Sequence, residues 1–230
     1  MHPSSRQARI AGSLFLLLIL VAPIRLIYIP DTLFVGGDPA ATARNIAEQA
    51  TLFRLGIVAD MAAGLLMIFI TLALRRLLLS VDEGMSRAVV ILGGVLPAAL
   101  YFANTVNDAA ALTLIHAPPY LDAFSQAQRE ALALFFLRLH GQTVYAAEMF
   151  WGAWLLPLAL LVYRSGFLPR LLGAWLFVNG LAYIAQSVVA FLAPSCLDSL
   201  SDICSPIQFG EIAFTLWLLL MGVKPRANPL

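Results

Sequence analysis

A chain of 230 residues that is 61% hydrophobic and 12% charged, with a mean hydropathy of +0.87, is too apolar to be an ordinary water-soluble domain. Soluble domains run at about 45–50% apolar and about 25% charged. Apolar runs recur over the whole length, as they do in multi-pass membrane proteins, and a formal net charge of +1 gives no basic field, which excludes nucleic acid as a partner.

The first run, "SLFLLLILVA", follows Arg6 and Arg9. Pro23 directly after Ala22 is a poor setting for cleavage, and the apolar character continues from Ile24 to Ile29. The segment therefore reads as a retained first helix rather than a removed signal. A bilayer crossing needs about 20 mainly apolar residues. Six segments qualify, at about 10–30, 51–74, 88–115, 131–163, 171–193 and 207–223, in a single transmembrane domain spanning residues 1–230. The expected fold class is all-α, an integral membrane bundle of six helices.

Between the first two spans, "GDPAATARNIAEQ" reads as a short surface helix with Asp38 as N-cap and Pro39 at its first position. "SVDEGMSR" joins the second and third spans, and "RSGFLPR" the fourth and fifth. In the latter, Gly166 and Pro169 mark a stop and a restart. Ser125–Gln128, "SQAQ", matches a capping box, so the fourth helix should begin ahead of its apolar span, and Pro157 should kink it near its far end. Gly93–Gly94 and Pro97 could break the third helix. The last connection, "PSCLDSLSDICSP", holds the only two cysteines, Cys196 and Cys204, and a disulfide between them is expected outside the cytoplasm.

Arg6, Arg9, Arg75, Arg76, Arg87, Arg164, Arg170, Lys224 and Arg226 fall on one side of the six spans, and the opposite loops are mostly acidic. The positive-inside rule puts both termini in the cytoplasm, and the expected location is the bacterial cytoplasmic (inner) membrane, with membrane lipid as the surrounding partner. Oligomeric state is not specified.

Polar residues three or four apart share a helix face. Such stripes are Gly56, Asp60, Gly64 and Met67; Gly94, Pro97, Tyr101, Asn104 and Asp108; Gly141, Tyr145, Glu148 and Gly152; Asn179, Tyr183 and Gln186; and Gln208, Glu211 and Thr215. At about 1.5 Å per residue, Asp60, Asn104, Glu148, Gln186 and Glu211 all lie in the outer half. Arg25, Arg54, Asp108, Arg138 and His140 lie near the outer interface. Charges within a bilayer must be paired or face a wet interior. The candidate ligand pocket is therefore Arg54, Asp60, Tyr101, Asn104, Asp108, Arg138, His140, Tyr145, Glu148, Tyr183, Gln186 and Glu211. Asp60, Glu148 and Glu211 are expected to share one cavity, with the arginines, Arg54 and Arg138 among them, keeping the carboxylates ionised. The competing readings are that Asn104, Asn179, Gln186 and Thr215 are interhelical glue, at about 0.6 kcal/mol each, and that Arg25, Arg54 and Arg138 snorkel to headgroups.

"RIAG" near the start, "FRLGIVAD" at 53–60, "FLRLH" at 136–140, "RSGFLPRLLG" at 164–173 and "GE" at 210–211 together resemble the bacterial DUF4386 family over nearly the whole chain. Tyr163 stands where that family's pattern has phenylalanine. The resemblance implies a multi-pass bacterial membrane protein and directs attention to Arg54, Asp60, Arg138, His140 and Glu211. The family has no assigned chemistry.

Three functions compete. The first is binding, with or without transport, of a small molecule or lipid in an ionisable pocket open to the outer side. The second is a metal-dependent intramembrane hydrolase. No cofactor is expected; if a transition metal is present, its ligands are His140, Asp60, Glu148 and Glu211, and no H-E-x-x-H, G-x-S-x-G or phosphate loop supports the enzyme. The third is a structural or regulatory subunit. Whether the chain is an enzyme is left open.

Overall fold

The computed structural model describes residues 4–223; His2, Lys224 and Arg226 lie outside them. Among the described residues there is no strand. Six helices are long and apolar enough to cross a membrane: α1 (Ser5–Leu33), α3 (Ala50–Leu78), α4 (Glu83–His116), α5 (Gln126–Arg164), α6 (Arg170–Leu192) and α7 (Pro194–Leu220). A short α2 (Pro39–Glu48) lies between the first two. The chain is a helical multi-pass membrane protein.

Local chemistry sets the helix ends. Asp38 caps α2 by accepting from the Ala41 N–H at 2.9 Å, with Pro39 next to it in the first turn. Asp82 caps α4 in the same way, accepting from Met85 N–H at 2.8 Å. Ser125 and Gln128 form a reciprocal capping box: the Ser125 N–H donates to Gln128 Oε1 at 2.8 Å, and the Gln128 N–H to Ser125 Oγ at 3.3 Å. This box is why α5 runs to 39 residues, longer than its apolar span needs. Between α5 and α6, Gly166 takes a φ of +73° that an L side chain rarely adopts. Ser165 Oγ there donates to the Val162 carbonyl and accepts from the Leu168 N–H.

Two helices widen locally. In α1, residues Ile24–Tyr28 form a π turn directly after Pro23, closed by the Ile29 N–H donating to the Ile24 carbonyl. In α4, Gly93 and Gly94 lie in a second π turn, Ile91–Val95, closed by Leu96 N–H to Ile91 O. The glycines and Pro97 thus widen α4 rather than break it.

The last connection departs from the sequence reading. Residues 197–204 are helical, and Pro206 sits inside α7 rather than ahead of it. Cys196 is exposed, Cys204 is buried against the Ala182 carbonyl, and both are free thiols. The expected disulfide is absent because eight residues of nearly continuous helix separate the two by about 12 Å along the axis, well beyond the reach of about 7 Å between bridged Cα atoms.

The chain packs as two compact units. One comprises the chain up to Ile19, Leu65–Ala98 and the chain from Tyr145 onward. Its helices approach closely at small residues. A Cβ on Gly93 would fall 2.5 Å from the Trp154 ring, and one on Gly173 would fall 2.8 Å from the Ala159 carbonyl of α5. Phe15 packs on Trp154 with ring centroids 6.1 Å apart. A polar ladder ties α6 to α7: Trp175 Nε1 donates to the Ile207 carbonyl at 2.8 Å, Asn179 Nδ2 to Glu211 Oε1 at 3.3 Å, Gln186 to Ser201 Oγ at 3.2 Å, and Gln208 to Gln186. The second unit comprises Leu20–Gly64 and Ala99–Val144. Its apolar core is built on Ile29, Leu33, Ile46, Phe53, Ala111, Leu114, Ala133 and Leu137.

Candidate functional site

The second unit places four ionisable groups together, one from each of four helices: Arg25 (α1), Asp60 (α3), Asp108 (α4) and His140 (α5). None is more than 2% exposed. Arg25 grips Asp108 with two parallel bonds, Nε to Oδ2 at 2.9 Å and Nη2 to Oδ1 at 2.6 Å. This fork-on-carboxylate geometry is the strongest pairing available to either side chain. On its other side Asp108 Oδ2 lies 3.2 Å from His140 Nδ1. The far ring nitrogen, Nε2, lies 3.6 Å from Asp60 Oδ2. The order is therefore Arg25, Asp108, His140, Asp60.

Each member is placed by its helix. Arg25 lies in the π turn of α1, and its guanidinium sits 5.7 Å and 6.0 Å from the ring centroids of Phe34 and Phe53. Gly56, one turn before Asp60, leaves room for the arginine stem: a Cβ there would fall 2.9 Å from Ile29 Cγ1 and 3.3 Å from Arg25 Cδ. Asn104 Nδ2 donates to the His140 backbone carbonyl at 3.2 Å, and Asn107 Nδ2 in turn holds Asn104 Oδ1 at 2.9 Å. These two amides fix α5 against α4 at the level of the histidine.

The apolar core lies about one to two helical turns along the chain from these groups, in the direction of the α4–α5 connection. Ile29 is four residues beyond Arg25, Ala111 three beyond Asp108, Leu137 three before His140 and Phe53 seven before Asp60. The cluster is closed in this structure.

Two features give it chemical potential. Asp60 Oδ1 has no hydrogen-bond partner among the described residues, and His140 Nε2 comes no nearer to Asp60 than 3.6 Å, at Oδ2. Two carboxylates share one guanidinium, with the imidazole lying between them.

Of the sequence-derived candidates, Asp60, Asn104, Asp108 and His140 converge here, and Tyr101 is buried on the same unit. Tyr145, Glu148, Tyr183, Gln186 and Glu211 belong to the first unit. There Glu211 bonds with Asn179 and Tyr183, and Gln186 with Ser201 and Gln208. These are helix-to-helix ties between α6 and α7. Arg54 and Arg138 are exposed, so neither is the arginine that steadies a buried carboxylate. Arg25 has that role. The sequence carried one signal for it: among the three arginines near that level it alone lies within the first apolar run, with no polar neighbour for several residues on either side.

Over 76 residues, 33% of this chain, the sequence is 34% identical to an uncharacterized protein of Archaeoglobus fulgidus, and the match spans 44% of that relative. No solved structure matches. The family described as a domain of unknown function, DUF4386, matches residues 10–222, a range that takes in Arg25, Asp60, Asp108, His140 and nearly all of the six apolar helices, and the chain belongs to that family.

Proposed function

We propose that this protein is a membrane-embedded binding protein for a small molecule or lipid headgroup that brings a positive charge or hydrogen-bond donors to the buried site at Asp60 and His140. One observation carries the reading. His140 Nε2 and Asp60 Oδ2 face each other at 3.6 Å, beyond hydrogen-bond distance, and Asp60 Oδ1 has no partner among the described residues. Leaving buried acceptors unsatisfied is costly, at about 1–3 kcal/mol each and more when charged. A cation or a donor-bearing group there removes that cost. The Arg25–Asp108 pair is the fixed wall of the site, and Asp60 its open arm.

The arginine distribution supports a cytoplasmic-membrane location with both termini in the cytoplasm. With that orientation the site lies toward the outer face, and solute reaches it from outside when the helices of the second unit part.

The test is a thermal-stability screen of the detergent-purified chain against monovalent cations, divalent cations, primary and quaternary amines, and lipid headgroups. One of these classes should raise the melting temperature of the wild type and leave Asp60→Asn unmoved. Equal shifts in both proteins, or none in either, would remove the basis for the reading.

A further inference from the structure

We infer that the occupant of this site is a divalent transition-metal ion, ligated by Asp60, Asp108 and His140, with Arg25 behind the ligands. This rests on the cation-binding reading above and narrows it to one chemical class. Each of the three residues offers one ligand atom, and those atoms lie within 4.8 Å of one another. Metal–nitrogen and metal–oxygen bonds of about 2.0–2.2 Å put two ligands of one ion about 3–4 Å apart. The 3.2 Å between Asp108 Oδ2 and His140 Nδ1 falls in that range, while the 3.6 Å approach of Asp60 is to the opposite ring nitrogen, Nε2. One ring nitrogen serves one ion, so a common ion requires the Asp60 carboxylate or the imidazole to turn until all three donors meet on one side of the ring.

Ligand type decides among ions. An imidazole nitrogen beside two carboxylates suits manganese, iron, cobalt or zinc; magnesium and calcium favour all-oxygen sets. The surroundings match what such ligands require. Ligating groups are held by outer partners that fix their orientation, and here Arg25 holds both oxygens of Asp108 while Asn104 holds the backbone carbonyl of His140. Each ring nitrogen lies beside a carboxylate, so the one that does not bind the ion has an acceptor for its proton. The ion's remaining positions fall to water or an anion. Asp108 thus enters the set in place of Glu148 and Glu211.

The experiment uses the full chain, purified in detergent through a histidine-free affinity tag from cells grown with added manganese, iron, cobalt and zinc. Elemental analysis should find roughly one transition metal per chain. After chelation, added Co2+ should restore thermal stability and produce visible d–d absorption. His140→Ala and Asp60→Asn should each abolish the retained metal, and Arg25→Lys, which keeps the charge but loses the fork, should weaken binding about 10–100-fold. Arg54→Ala should leave binding unchanged. Wild-type protein that holds no stoichiometric metal, and whose melting no divalent ion moves, overturns the inference, as does metal retained equally by all four variants. If amines or monovalent ions then still stabilise the wild type and not Asp60→Asn, the metal falls and the binding reading stands. If no solute does, both fall.

Discussion

Replacing Arg25 with alanine should be among the most damaging single changes to a charged residue of this protein. The side chain is 2% exposed, makes two charge-assisted bonds of 2.9 Å and 2.6 Å, and sits near two aromatic faces. Its removal leaves Asp108 buried beside only Asp60 and His140. Breaking a buried pair from one side costs about 3–5 kcal/mol. For a chain of this size each kcal/mol moves the midpoint by about 2–4 °C, so the expected loss is roughly 6–20 °C. Thermal unfolding in detergent, followed by tryptophan fluorescence, measures it, with Arg54→Ala, Arg138→Ala and Arg164→Ala as exposed controls. The double variant Arg25→Met/Asp108→Leu removes both charges and replaces them with apolar groups of similar size; such swaps are often neutral, so it should melt well above Arg25→Ala alone. An Arg25→Ala protein within about 2 °C of the exposed controls, or a double variant no better than the single one, would refute the reasoning that this pair is buried and mutually dependent.

The packing sets two further outcomes. Gly93→Ala should lower the melting temperature by an amount corresponding to about 1–3 kcal/mol, the usual cost of overpacking, because its Cβ would meet the Trp154 ring, whereas Gly141→Ala has nothing within 4 Å to strike and should be near neutral in the same melt. In intact cells, an impermeant maleimide should label Cys196 without reductant and spare buried Cys204; labelling of Cys196 only after the membrane is opened would reverse the proposed orientation.

The sequence exposed the fold more fully than it exposed the site. Hydropathy finds each span because about 20 apolar residues in a row have few other uses, and the capping residues Asp38 and Ser125 announce their helices through side-chain chemistry that is local. The start of α7 was hidden because its serines, aspartates and Pro206 resemble a loop in composition; helix neighbours, which composition does not register, tolerate them. Stripe periodicity placed Asp60, Asn104 and Asp108 on buried faces. It did not rank the arginines, because a three- or four-residue repeat gives a direction around one helix and says nothing of what stands opposite. Arg25 was further concealed by its π turn. Through Ile24–Tyr28 the winding departs from the α-helical count, so an ideal wheel does not hold there.

That arginine also bears on how the chain is made. Asp108 lies 83 residues further on, so α1 enters the bilayer during synthesis before the carboxylate that will neutralise it exists. A lone arginine in a span opposes insertion, by about 2.5–3.5 kcal/mol at the helix centre and by less toward the interface. The run Leu14–Val21, eight large apolar residues without a break, supplies about 2–5 kcal/mol in the other direction on the same scale. α1 has the highest mean hydropathy of the six spans, 2.5. Its leucines therefore act twice, as packing in the finished protein and beforehand as ballast that holds Arg25 in the membrane until α4 arrives.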